Sequence, residues 1–465
     1  MRAMSDRQRR LGLALLIYLI GLAVYFGFAR PERLTEHTPF NHFALLAEGW
    51  LDGRLHLGGP PPAYTQLNDF AKVGDRWYVA FPPLPAVWLL PWVWLAGSAE
   101  GVRDGQAFLW LAPVAPAVLF LVLEKLTRLG MSARSQRENL ALSLLFAFGT
   151  VYFFSAEQGT VWFAAHVVGC LLLALYVLFA LDAERPLLAG LMLGLGFMTR
   201  SPLLFAAPLF ALEVLRVCSA GGAVSASALP ASDLARTAES ASPSGGGGPV
   251  RRLMAWYRRL DKRRLVKLYA WFALPVAAAL AITLWHNQAR FGEPFEFGYR
   301  FLTVRWAERM ERWGLFHYHY LGRNLGVSLA SLPYVTRGGA APFQINGHGL
   351  ALWFTTPMYL WLLWPRLSAG ARGVHRALWI TTLAVAMWTL LYQNTGWVQF
   401  GQRFSNDYAV LLFALLAVGG RKLGKGFIAA SVFAVVVNAF GAYTFDRPEY
   451  RGYYVVKPFE YFQPD

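Results

Sequence analysis

The sequence predicts an all-α fold, a polytopic helical membrane protein with large loops gathered on one side. Three observations carry this. The 465 residues are 56% hydrophobic and only 15% charged, with mean hydropathy +0.37, whereas soluble domains carry about a quarter charged residues. Apolar runs recur from Leu11 to Ala442, many near the length that crosses a bilayer. The charge is also one-sided. Segments 1–10, 124–139, 182–186, 213–267, 365–376 and 421–425 hold 25 of the 43 basic residues but only 9 of the 27 acidic ones. The entire excess of +16 thus falls in loops that the positive-inside rule places in the cytoplasm. That distribution argues for a cytoplasmic (inner) membrane protein and against nucleic acid as a partner.

Taken in order, the first run, Leu11 to Ala29, follows "MRAMSDRQRR". It is long for a signal peptide and no small-residue cleavage site follows, so it is expected to be a retained helix with its amino terminus inside. Further spans are expected near 107–123, 140–154, 161–181, 187–199, 203–217, 268–285, 349–364, 377–392, 408–420 and 427–442. This makes about eleven helices with the carboxyl terminus outside. The run 81–97 would invert every later loop if it crossed, so a helix lying in the outer interface is expected there. Its Trp88, Trp92 and Trp94 suit that boundary.

The chain then divides into a first membrane half, 1–217, with outer loop 30–106, a linker, 218–267, and a second half, 268–465, with outer loop 286–348. Residues 219–249 are low-complexity, and 251–267 read as a basic amphipathic surface helix on anionic lipid. Segments 393–407 and 443–465 are outside as well. Loops of this size usually bind or catalyse, so function is expected on the outer face. Cys170 and Cys218 sit in or beside apolar runs with no disulfide or metal spacing. No Walker loop or dinucleotide fingerprint supports a soluble nucleotide donor.

The loops hold the chemistry. "NDFAKVGDRWYVAFPPLP" (68–85) sets Asp69 before a Gly-Asp turn, an aromatic pair and three prolines that fix the backbone. A carboxylate near apolar surface has a raised proton affinity, which suits a general base. Glu48 is the second carboxylate considered. Arg290 and Arg300 flank Glu293 and Glu296 in "ARFGEPFEFGYR", and Arg403 stands near Asp407 in "GWVQFGQRFSND". Arginines at a membrane boundary suit phosphate, because the guanidinium offers a planar fork. Arg200 interrupts two apolar runs in "MTRSP", and His166 lies two turns into a span. Ionisable groups at such depth point to function. His317 and His319, two apart, do not share a helix face and give no zinc motif.

Taken together, "YVAFPPLPAVWLL", "TRSP", "ARFGEPFEFGYR" and "GWVQFGQRFSND" in this order resemble the GT-C superfamily of membrane glycosyltransferases. The resemblance is greatest to the protein O-mannosyltransferase and lipid A aminoarabinose transferase group. It implies a polyprenyl-phosphate sugar as donor, an acceptor glycan, lipid or protein, membrane lipids around the fold, and Arg200 and Arg290 at the donor phosphate. It implies no certain cofactor, although one acid plus a phosphate can hold a divalent cation weakly. Where that family opens its first outer loop with an acidic pair, this chain has Asn41 and His42, and its basic residue before Pro-Pro is Phe81. Asp69 or Glu48 would then serve as base. A transporter or lipid flippase is the alternative, disfavoured by the lack of an internal repeat, and a non-catalytic assembly subunit is a third reading.

Overall fold

The computed structural model describes residues 5–219, 254, 256–304, 306–339 and 341–455. The low-complexity linker, the start of the basic segment at 251 and the end of the tail lie outside the described residues. The chain is mostly helical. In order it forms α1 (Asp6–Phe28), α2 (His42–Leu51), a hairpin of β1 (Phe70–Val73) and β2 (Arg76–Val79), and α3 (Leu84–Ala96). Next come α4 (Asp104–Arg128), α5 (Gln136–Phe148), α6 (Tyr152–Gln158), α7 (Val161–Ala180), α8 (Pro186–Phe197) and α9 (Ser201–Ser219). After the linker come α10 (Lys262–Phe291), β3 (Tyr334–Val335), β4 (Phe343–Asn346), α11 (Ala371–Leu390), α12 (Asn406–Val418), α13 (Lys425–Thr444) and β5 (Tyr454–Val455).

Among the described residues six helices are long and apolar enough to cross a membrane: α1, α4, α7, α9, α10 and α13. A seventh is counted if α5 and α6, bent by 55° at their break, act as one. The expectation of eleven is not confirmed. The expected spans 187–199 and 408–420 fold as helices of 12 and 13 residues, roughly 20 Å long against about 30 Å of hydrocarbon. Segment 349–364 breaks into one helical turn and a 3₁₀ stretch around Pro357, which cannot continue the helix ahead of it. The run 81–97 likewise forms the 13-residue α3, too short to cross alone. It leaves Trp94 and Leu95 71% and 73% exposed.

The loops also carry short strands. Gly74, at φ +57, turns β1 back on β2 in antiparallel register, with Phe70 opposite Val79. β4 pairs antiparallel with β3 and parallel with β5. The helix α10 runs on to Phe291 and carries His286 and Arg290 with it.

A single core draws on both halves of the chain, with α12 buried along its entire length against α7 and α5. α10 is the opposite case, with only 6% of its apolar window buried. A helix this apolar and this uncovered belongs in lipid. It docks on α8 through Gly190 and Gly194. A Cβ on Gly190 would fall 2.0 Å from the Phe272 carbonyl oxygen, and one on Gly194 would fall 2.7 Å from the Ala279 Cβ. Small residues let helix backbones approach in this way where no hydrophobic drive operates.

Candidate functional site

One cavity of about 830 Å³ opens where the first-loop hairpin, the α8–α9 junction, residues 299–306 and the 388–404 segment meet. These are the segments that the charge bias assigns to one side of the membrane. Asp69, Arg200 and Arg403 all line it.

Asp69 is held there by a strained turn. Gln66, Leu67 and Asp69 have φ of 54°, 54° and 60°, a conformation that costs non-glycine residues on the order of 1 kcal/mol or more each. The surroundings enforce it. His42 is fully buried, stacks on Phe70 with ring centroids 4.2 Å apart, and its Nε2–H donates to the Asn68 carbonyl at 2.8 Å. Burial holds this imidazole neutral, pushing its pKa down to about 4. The indole Nε1–H of Trp162 donates to the Asp69 Oδ2 at 2.9 Å. Burial raises the Asp69 carboxyl above its usual value, while the Trp162 hydrogen bond and then the charge of Arg403 oppose the rise. The result is a carboxylate whose proton affinity is raised and whose orientation is set.

Arg403 is 6% exposed and sits on a short 3₁₀ turn, Arg403–Ser405, just before α12. Its backbone N–H donates to the Gln399 Oε1 at 2.8 Å, and the Gln399 amide in turn donates to the carbonyls of His348 and Thr395 at 2.7 and 2.8 Å. The guanidinium lies over the rings of Phe163 and Phe404, 5.0 and 5.5 Å from their centroids. Its Nε has no hydrogen-bond partner, and among the described residues no carboxylate forms an ion pair with it. Burial first, then the charge of Arg200, push its pKa down to about 9, so it remains a cation at neutral pH.

Arg200 is different. It lies between α8 and α9 and grips Asp407 through Nε and Nη2, the latter at 2.7 Å. A planar fork on a carboxylate is a strong, oriented pair, and it leaves Arg200 largely neutralised. His166 stands behind that pair, 3.4 Å from the Asp407 carboxylate and fully buried, outside the cavity lining.

The other residues singled out from the sequence lie elsewhere. Arg290, carried on α10, donates to the Val79 carbonyl at 2.9 Å and to the Asn287 Oδ1 at 3.1 Å, clamping the end of β2. Arg300 is half exposed and pairs with Glu293 and Glu296 at 2.9 and 3.0 Å. Glu48 accepts from the Ala99 N–H at 3.0 Å, holding the loop after α3. Asn41 opens α2, where its Nδ2 donates to the Ala99 carbonyl at 3.4 Å and its Oδ1 accepts from the Tyr64 hydroxyl at 3.3 Å. None of these four lines the cavity. The Pro-rich segment does reach it through Pro82, and the Leu84 N–H donates to the Met198 carbonyl at 3.0 Å, fastening the segment next to Arg200.

Two residues at the site were not chosen from the sequence. Asp407 was visible as an acid at a helix mouth, but nothing local tied it to Arg200, 207 positions away. Trp162 carried no signal, since it is one apolar residue in an apolar run.

No protein-family model matches the chain, and no curated protein matches it in sequence. Among solved structures it is similar to the crystal structure of the Archaeoglobus fulgidus oligosaccharyltransferase in the apo form. The identity is 13%, the match covers 93% of this chain and 55% of that one, and the TM-score is 0.49. It is also similar to the archaeal oligosaccharyltransferase AglB from Archaeoglobus fulgidus in complex with an inhibitory peptide and a dolichol-phosphate. There the identity is 12%, the coverage 92% and 55%, and the TM-score 0.42. The chain spans about half the length of these proteins.

Proposed function

We propose that this chain is a GT-C-type glycosyltransferase that moves a sugar from a polyprenyl-phosphate donor to an acceptor hydroxyl on the outer face of the cytoplasmic membrane, with inversion. The observation that carries the reading is the pairing in one cavity of an oriented carboxylate, Asp69, with a buried guanidinium, Arg403, that makes no ion pair among the described residues. The parts match the chemistry. The acceptor oxygen attacks the anomeric carbon opposite the phosphate as the bond from that carbon to the phosphate oxygen breaks. The acceptor proton passes to Asp69. The departing phosphate takes up negative charge, and Arg403 meets it without first giving up a protein partner. Because the leaving group is already a phosphate, it needs no second carboxylic acid, unlike glycoside hydrolysis.

Arg200 supports this arrangement more than it binds. Its pair with Asp407 anchors the start of α12 next to Arg403, and its guanidinium lies 5.4 Å from the centre of the same Phe404 ring. The Phe81, Pro82 and Pro202 side of the cavity is apolar and would take the first isoprene units. A divalent ion, where the reaction uses one, would be shared between Asp69 and the donor phosphate.

The test is transfer by purified protein in liposomes from a radiolabelled polyprenyl-phosphate sugar, with and without chelator. Labelled product from the native chain and none from Asp69→Asn is the expected result. Full turnover by that variant would remove Asp69 from the role.

A further inference from the structure

Away from Asp69 and Arg403 the cavity changes character. Among the described residues, the part of the wall contributed by 299–306 and 388–397 is aromatic and carries no charged side chain, with Tyr299, Thr303, Trp306, Tyr392 and Asn394 facing the space. Trp306 is half-buried, and among the described residues no other ring packs on it. The Asn394 Oδ1 is occupied, accepting from the N–H groups of Gly396 and Trp397 at 2.8 and 3.1 Å. Its Nδ2 donors have no protein acceptor among the described residues, and the same holds for the Thr303 hydroxyl and the Tyr299 phenol. The Tyr299 phenol lies in the field of Tyr392, Arg200 and Asp69, so this wall adjoins the proposed base.

A bare indole face beside several unused neutral hydrogen-bonding groups selects among acceptor classes. A lipid alcohol would cover those donors with hydrocarbon and leave them unsatisfied. A peptide acceptor held in extended form would seek an open strand edge. At the cavity, β1 already pairs with β2 on one edge, and its Ala71 bridges to Leu302 on the other. A pyranose or furanose ring offers what the wall lacks: an apolar C–H face for the indole, and hydroxyls that both donate and accept for neutral amide and hydroxyl groups. The volume, in the upper part of the usual range for small-molecule sites, has room for a donor sugar phosphate and one acceptor residue together.

Resting on the transferase reading above, we infer that the acceptor is a carbohydrate. Its terminal residue stacks on Trp306, with hydroxyls on Asn394, Thr303 and Tyr299 and the reacting oxygen toward Asp69. Trp306 is then a specificity-determining residue for the acceptor.

The experiment gives the full-length protein, in lipid nanodiscs, a radiolabelled polyprenyl-phosphate sugar and three acceptors in parallel. These are short hexose and pentose oligosaccharides, a serine- and threonine-rich peptide, and a long-chain alcohol. Label on the oligosaccharides alone is expected. Trp306→Ala should then raise the oligosaccharide KM about tenfold against a much smaller change in donor KM, with most of the affinity regained in Trp306→Phe. Label confined to the peptide or the alcohol overturns the carbohydrate acceptor and leaves the transferase standing. An oligosaccharide KM unmoved by Trp306→Ala overturns the stacking role and the inference with it. No label on any acceptor also overturns it, and donor binding measured on the same sample then tells whether the transferase reading falls as well.

Discussion

Buried cations at the two ends of the helical core differ in one case, Arg403, since Arg200 and Arg33 near the cavity pair with Asp407 and Glu157 just as the cations of the other end pair with their acids. At the end rich in basic loops, the buried cations are answered by the protein itself. Lys125 pairs with Glu184 at 2.6 Å and donates to the Leu178 carbonyl at 2.8 Å. Arg216 holds Glu213 and Asp182 at 2.9 and 2.7 Å. Arg134 donates to the carbonyls of Leu416 and Arg421 at 3.0 and 2.6 Å and pairs with Glu138. At the cavity end Arg403, 6% exposed, lies on two aromatic rings within the field of Asp69 and Asp407 but with no direct ion pair among the described residues, close to a turn held in left-handed backbone conformations. A buried charge without a counter-charge costs several kcal/mol. The basic end thus matches its cations with acids, whereas Arg403 is left without a direct ion pair, which in the proposed reaction keeps it available for the donor phosphate.

That contrast can be broken at either end. The largest expected effect is Asp69→Asn, a loss of roughly 10²- to 10⁴-fold in turnover with the fold intact by thermal melting. Arg403→Ala follows, at roughly 10²- to 10³-fold, and Arg403→Lys should recover only part, because an ammonium keeps the charge but not the planar fork. A smaller change sharpens the comparison through pH. In the proposed reaction the carboxylate form of Asp69 is the base, so rate is lost as pH falls through its raised pKa. Trp162→Phe removes a bond that favours the carboxylate. The acid limb of the rate profile should therefore move to higher pH, with turnover near neutrality down about three- to tenfold. At the other end, Arg216→Ala should leave turnover within about twofold while costing about 1–3 kcal/mol of stability in a melting experiment, because Glu213 stays buried with one partner fewer. A large loss of transfer from Arg216→Ala without loss of stability would erase the distinction between the ends.

The legible and illegible parts of the site divide along the same line. Asp69 stood out because a carboxylate, a turn and a run of aromatics and prolines lie within eighteen residues. Arg290 stood out for similar reasons, yet it donates to the Val79 carbonyl, because α10 runs on through Phe291 and carries it against the end of β2. Asn41 and His42 read as a missing acidic pair. In the fold they open α2 and brace the strained turn, through a stacked ring and one carbonyl. The contrast between Arg200 and Arg403 could not be read at all. Both are arginines beside apolar runs, and only the position of Asp407 decides which of them is neutralised.

Hydropathy alone determined that the chain is a helical membrane protein, because it depends on how each segment partitions between water and lipid, while charge bias gave an expectation of which loops share a side. The number of full-length helices, the partners of each arginine and the indole that holds Asp69 were decided only by tertiary structure. Helix ends and ion pairs follow from contacts between residues 93 and 207 positions apart, and local composition carries no record of those distances.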